Sequence, residues 1–452
     1  MRGTLQKAAR CAAFSVSIAL ASVGAAPSAT GIAPGPLKTG SLAGGGTYVI
    51  SHSDAAPVAA ISLWYRAPSS GFAPTATPGI GRLAAAAVAA SAPITGTPLS
   101  RLVDRVGGRI SVSSYPDSVA ISTIVPADRA AEIVRAITVS YFAPVLTDDG
   151  LKVARRDIAE DAFFRSFNPD ETIDDQLAGA LFSDGPAHQP AVANPSAIER
   201  IPMSAVESFA KRAFRSANAV LVVTGAVDAS VIATAVPGRP DPAPSAEPFL
   251  ASTPVLHPAP IATSSAEAGA GIAWTGPPIE NEREATAMDF IVDYLFRADY
   301  GKAQSAIALS KSTLVGKYVT YHNPGVVFIS ISGGDAIAAR EIVLRSLATA
   351  QIPLEPAAFA AARSAFAYHI ASDVQTPGEL ADTLGWYTVE GDPGYAPGSN
   401  GRAGKYFAAV DALTPEFVAA TVKKYINGPS VSLDISAKAP DKTAKPSAGR
   451  IQ

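Results

Sequence analysis

The sequence predicts an α+β protein of two tandem homologous halves. Each half is a largely antiparallel sheet covered by helices, and the two form a pseudo-symmetric, clam-like pair. Three observations predict this. The 452-residue chain is too long for one ordinary domain, and with 48% hydrophobic and 17% charged residues it can fill two sizeable cores. A proline-dense, aperiodic stretch, VPGRPDPAPSAEPFLASTPVLHPAP, divides it at residues 236–260 and reads as an extended linker. On either side, strands and helices follow in the same order.

The N-terminus comes first. Arg2, Lys7 and Arg10 precede the apolar run CAAFSVSIALASV, and small residues follow at Val23-Gly24-Ala25. That is the order of a secretory signal peptide, expected over residues 1–25 and too short for a membrane span. It implies a periplasmic or secreted location and is followed by a flexible lead-in over 26–45. The only cysteine, Cys11, lies inside this leader, so disulfides and thiolate metal sites are not expected in the mature chain. A net charge of −3 without a basic stripe gives no reason to expect nucleic acid.

The first half is expected over 46–235. TYVISH and VAAISLWYRA alternate and read as paired strands. Helical patterns follow at Ile80–Ala90 and Pro98–Val106. RISVSSYPDSVAISTIV reads as a β-hairpin and DRAAEIVRAITVSYF as an amphipathic helix. Charged helical patterns run over Asp148–Phe164 and Glu171–Phe182, and helix SAVESFAKRAF with strand AVLVVTGAV closes the half. The second half, expected over 261–437, repeats the order. GIAWTG is a strand, REATAMDFIVDYLFRA a helix, KYVTYHNPGVVFISIS a hairpin and AIAAREIVLRSLATA the next helix. PAAFAAARSAFAYHIASDV and PGELADTLGWYTV are helical, and PEFVAATVKKYI leads into strand SVSLDIS. Residues 438–452 are polar and expected to be disordered.

Several segments, in this order, resemble the insulinase and pitrilysin-type metallopeptidases, the inverzincins. SLWYRA, a loop and GIGRL resemble that family's strand, loop and first helix. LVDRVGGRISVSS resembles its Gly-Gly turn into an edge strand, and LFSDGPAHQPAVANPSAIERIPMSAVESF with SANAVLVVTGAVD resembles the end of its first domain. Active members carry H-x-x-E-H on the first helix, two His binding zinc and the Glu serving as general base. Aligned on Gly79-Ile80-Gly81, those positions here are Arg82, Leu83, Ala84, Ala85 and Ala86. Both histidines and the glutamate are absent. The third ligand position falls near Asp161, with Glu160 beside it. The resemblance therefore implies an inactive member with no catalytic residue and no zinc of its own.

LAAAAVAA is apolar all round and reads as a buried helix of high intrinsic propensity. Arg82, facing an unfavourable helix dipole, is expected to pair with Asp161 or Glu160, or else to lie solvated. The histidines, His52, His188, His257, His322 and His369, show no ligand spacing. His188 reads as a structural hydrogen bonder.

Members without the zinc motif resemble the non-catalytic subunit of the mitochondrial processing peptidase and the core subunits of the cytochrome bc complex. In such pairs the partner chain brings zinc, while an Arg and a Tyr of the inactive chain hold substrate carbonyls. ALSKSTLVGKYVTYH places Lys311 and Tyr318 at those positions, the lysine lacking the arginine's planar fork. Ser111, Val112 and Ser113 correspond to the edge strand along which an extended peptide is laid. The resemblance implies a zinc-bearing paralogue, or a second copy of this chain, as partner, with zinc only in the other chain. The alternative is a stand-alone peptide-binding or assembly protein without hydrolysis.

Overall fold

The computed structural model describes residues 37–437 except 55, 73–76, 93–95, 166–168, 191–193, 237–246, 266, 323 and 400–403. The expected leader at 1–25, most of the lead-in, residues 237–246 of the linker and the tail at 438–452 lie outside the described residues.

The first half opens with strands β1 (Lys38–Ser41), β2 (Thr47–His52) and β3 (Val58–Arg66), then helices α1 (Ile80–Ala90) and α2 (Leu99–Arg105). The hairpin β4 (Ser111–Ser114) and β5 (Ser118–Pro126) follows, then α3 (Ala130–Phe142), α4 (Asp148–Arg165) and α5 (Pro169–Leu181). Helices α6 (Pro195–Glu199) and α7 (Met203–Ala213), strand β6 (Ala219–Gly225) and helix α8 (Ala229–Ala235) complete it. The sheet order is β1-β2-β6-β3-β5-β4. β2 and β3, expected to pair, are separated by β6, which runs parallel to β2 and antiparallel to β3. Lys38–Ser41, inside the expected lead-in, is a strand, because its backbone completes the ladder of β2 from Lys38 opposite Ile50 to Ser41 opposite Thr47.

The second half runs β7 (Ile261–Ser265), β8 (Gly269–Gly276), α9 (Glu282–Phe296), α10 (Lys302–Ile307), β9 (Thr313–Val319) and β10 (Gly325–Ser332). Helices α11 (Ala336–Ala350), α12 (Pro356–Ser372), α13 (Pro377–Glu390), α14 (Lys405–Asp411) and α15 (Pro415–Ile426) precede the last strand, β11 (Ser430–Ala437). The sheet order is β7-β11-β8-β10-β9, with β7 parallel to β11 and the other pairs antiparallel. A hairpin therefore forms the corresponding end of each sheet, with β4 and β9 as edge strands.

Each half lends a helix to the other. α5 packs on β8, β10 and β11, while α13 packs on β3 and β6. The sheets are accordingly covered on both faces. β3 shows the reason: Ile61, Leu63 and Tyr65 join the core beneath α1, α3 and α7, while Ala60 and Trp64 join a core continuous with the second half. Burying both faces of a sheet requires near-continuous apolar strands, which β6 (AVLVVTG, buried throughout) also is. On the other side, Ile173, Leu177 and Leu181 of α5 pack with Ala273, Phe328 and Leu433 of the second sheet.

Polar contacts repeat this reciprocity. Asp174 accepts a hydrogen bond from Ser330 Oγ at 2.7 Å and pairs with Lys317. Asp382 on α13 accepts one from Ser62 Oγ at 3.5 Å. The two aspartates occupy the same place in their helices, one turn beyond Pro169 and Pro377. Gly385 permits the close contact of α13 with the first sheet, since a Cβ there would lie 2.0 Å from Trp64 Nε1. The described part of the linker touches both halves: Arg212 of the first grips Glu247 at 2.9–3.0 Å, and Phe249 stacks on His322 of the second at 3.9 Å.

Candidate functional site

The site begins at the turn before α1. Gly79 has φ 80°, a left-handed conformation that costs glycine little, and it turns the chain into the helix. Along α1 the half-buried positions are Arg82, Ala86 and Ala90, four residues apart and so on one stripe; the other residues are buried. Ala85 is 0% exposed, and its carbonyl accepts the hydroxyl of buried Tyr141 at 2.7 Å. Tyr65, Tyr141 and Phe214 pack as an aromatic cluster in this core. Thr147 N–H donates to Ser91 Oγ at 3.0 Å, joining the end of α1 to the start of α4.

Arg82 reaches from α1 to α4 and donates to the Asp161 carboxylate. Of the two partners expected for Arg82, the structure pairs it with Asp161. Burial lowers the Arg82 pKa from its ordinary value, and the Asp161 charge opposes that shift. One turn further along α4, Arg165 pairs with Glu171 of α5.

The residues at the zinc-motif positions do not fit zinc. Ala85 and Ala86 offer no donor atom, and Arg82 sets a permanent cation against Asp161, the carboxylate that would serve as third ligand. Among the described residues no three His, Cys, Asp or Glu side chains gather as a possible metal site. Four histidines have partners elsewhere: His52 with Val227 O, His188 with Phe182 O, His322 with Glu280 and His369 with Asp293. The His188 Nδ1–Phe182 O contact is 2.6 Å.

Ser111, Val112 and Ser113 lie on β4, paired on one side with Ser122, Ile121 and Ala120 of β5. β4 is the last strand of its sheet and packs beside α1, so its outer edge lies next to the degenerate centre. Lys311 and Tyr318 lie at the corresponding edge of the second sheet. Lys311 is exposed and has φ 57° at the entry to β9. The Tyr318 hydroxyl already donates to Pro277 O at 2.6 Å, and its ring packs against Gly276 and Gly325. A peptide carbonyl would have to displace Pro277 as its acceptor. The expected contacts thus fall on two sheet edges, with the Tyr318 donor engaged within the fold.

Missing from the sequence reading is a cluster where the β4–β5 and β9–β10 turns meet α13. Tyr115 stacks on Trp64 at 5.6 Å, and Trp386 packs edge-on to both and against Tyr321. The dense aromatic content of SLWYRA, SSYPD, TYHN and GWYTV was its only visible signal.

No protein-family profile matches the sequence, and no curated protein does either. Solved structures do match. A protease from Helicobacter pylori superposes with a TM-score of 0.77 at 14% identity, covering 89% of this chain and 100% of that one. An M16-like peptidase from Alicyclobacillus acidocaldarius gives 0.71 at 16% identity, covering 88% and 98%. A peptidase M16 inactive domain from Pseudomonas fluorescens gives 0.71 at 15% identity, covering 89% and 98%. This chain therefore has the two-domain M16 peptidase fold, as the resemblance to insulinase-type enzymes implied.

Proposed function

We propose that this chain is a catalytically inactive M16-type protein that works outside the cytoplasm as the partner subunit of a zinc-bearing relative. In that role it shapes the substrate chamber and offers the edge strand Ser111–Ser113 to extended peptides, with Lys311 and Tyr318 as further contacts. One observation carries the reading: Arg82 and Asp161, which the resemblance puts at metal-ligand positions, form an ion pair with each other. The likeness to an M16 inactive domain supports it. Edge-strand binding relies on backbone hydrogen bonds and does not need the metal. No helix among the described residues is long and apolar enough to cross a membrane, and the N-terminal leader pattern supports export.

The test is a native pull-down of the tagged mature chain from its own host. Expected is an inert chain when purified alone and a co-purifying zinc peptidase that cleaves an unstructured peptide. A chain that captures peptides by itself while nothing else co-purifies would support the stand-alone binding role instead. Metal-dependent cleavage by the chain alone would refute both.

A further inference from the structure

Two carboxyl groups meet in the interior between the halves. Asp117 lies in the β4–β5 turn and is 8% exposed; Glu390 ends α13 and is 1% exposed. Both oxygens of Glu390 and Oδ1 of Asp117 are buried with no hydrogen-bond partner among the described residues, and each carboxyl lies within electrostatic reach of the other. A buried carboxyl without a partner is far less costly protonated than ionised, and two such groups near each other repel when both ionise. Around them stand Arg66 at the end of β3, His322 paired with Glu280, and Tyr321. Arg66 donates to Val389 O at 3.2 Å, and its guanidinium lies 4.1 Å over the ring of Phe249. That ring in turn stacks on His322 at 3.9 Å. The first sheet, the second sheet, the exchanged helix and the linker all converge here.

We propose that the Asp117–Glu390 pair is a proton-dependent latch holding α13, and with it the second half, against the first sheet. The latch does not depend on whether the chain serves a zinc-bearing partner. Its direction follows from the burial of the pair. Burial, then the Asp117 charge, pushes the Glu390 carboxyl well above the usual glutamate range. Burial also pushes Asp117 up to about 6, against the opposing charges of His322 and Arg66. An acid whose folded pKa is raised contributes stability that is complete below its unfolded value and is lost as pH rises through the folded value. The latch is therefore closed in mild acid and weakens with rising pH. While Glu390 alone keeps its proton in the folded form, each pH unit weakens the closed state about tenfold relative to the open one. At still higher pH two neighbouring carboxylates repel.

Amide hydrogen exchange of Pro377–Glu390 and of β3, corrected for intrinsic rates, tests this between pH 5 and 8 on the full chain. Urea unfolding over the same range runs beside it. Asp174 and Asp382 at the same interface are also raised by burial, so the decisive reading is the difference from Glu390→Gln. The amide of that variant matches the glutamate in size and does not titrate. Expected is loss of protection in the wild type as pH rises, and in Glu390→Gln a pH dependence of unfolding shallower by about tenfold per unit. Equal slopes in the two proteins would overturn the proposal. Should Glu390→Gln fail to fold, protection of α13 in the wild type that is unchanged from pH 5 to 8 would overturn it equally.

Discussion

The Arg82 side chain is 12% exposed and that of Asp161 41%, so the two partners respond differently to truncation. Removing Arg82 leaves a carboxylate that water can reach, removes a cation from the wrong end of a helix dipole and places alanine in a helix. Removing Asp161 leaves a guanidinium largely shut off from solvent, with a charge it cannot shed. Arg82→Ala should therefore cost about 1 kcal/mol, and Asp161→Ala about 2–3 kcal/mol. Urea unfolding of the two variants checks the order, and a larger loss for Arg82→Ala would show that the pair is held mainly from the Asp161 side. This pair was legible in the sequence because a cation at a helix start needs a counter-charge, and the family resemblance put the third-ligand position near Asp161 and Glu160. The Asp117–Glu390 pair was not legible. Its members are 273 positions apart, 117 to 390, and nothing local marks a solvated acid off from a buried one.

At the scale of elements, periodicity located α11 and α15 well, because each has an apolar face and a marked start, while α1, apolar all round, was marked by the Pro-Gly turn before it. Periodicity located α5 and α13 as helices too, but an amphipathic pattern states that a face is buried without naming the sheet that buries it. The β2–β3 pairing failed for a similar reason: adjacent alternating strands favour a hairpin, and the insertion of β6 is a long-range event. The stripe Arg82, Ala86 and Ala90 supplies a prediction at this scale. Histidines at 82 and 86 would lie one turn apart on the face of α1 directed at Asp161, the arrangement zinc accepts from two imidazoles and a carboxylate. The double variant Arg82→His/Ala86→His should retain zinc through gel filtration and lose it when Asp161→Ala is added. Zinc uptake that is indifferent to Asp161 would mean the stripe does not face α4 as described. Ala85 is a poorer place for the missing glutamate, since a carboxylate at a fully buried position costs several kcal/mol without a partner. Gly385 gives the parallel test on the exchanged helix. A methyl group there cannot fit beside Trp64, so Gly385→Ala should destabilise by about 1–3 kcal/mol despite alanine's better helix propensity. Thermal melting with near-ultraviolet dichroism of the tryptophans would register it, and an unchanged midpoint would mean that α13 can shift without loss.

For the whole molecule, the reciprocal loan of α5 and α13 decides what counts as a folding unit. Composition and the proline-rich stretch suggest two domains tied by a tether, and that reading predicts independent stability for each. The packing argues for interdependence. Without α13, the face of the first sheet carrying Ala60, Trp64 and Val222 would open to water; without α5, so would Ala273, Phe328 and Leu433. Exposed apolar faces of that extent lead to association or collapse rather than to a stable half. A protease site engineered between Val236 and Glu247 separates the two ideas. After cleavage the fragments should still elute together and melt in one cooperative transition, because the loaned helices and the shared core hold them without the peptide link. Expressed alone, the first half should be insoluble or bind hydrophobic dyes, and co-expression with the second half should rescue it. Fragments that part on a sizing column, each with its own sharp transition, would instead make the linker the real bond between the halves. The latch at Asp117 and Glu390 would then act on a joint that opens widely, rather than on one helix loosening within a single cooperative body.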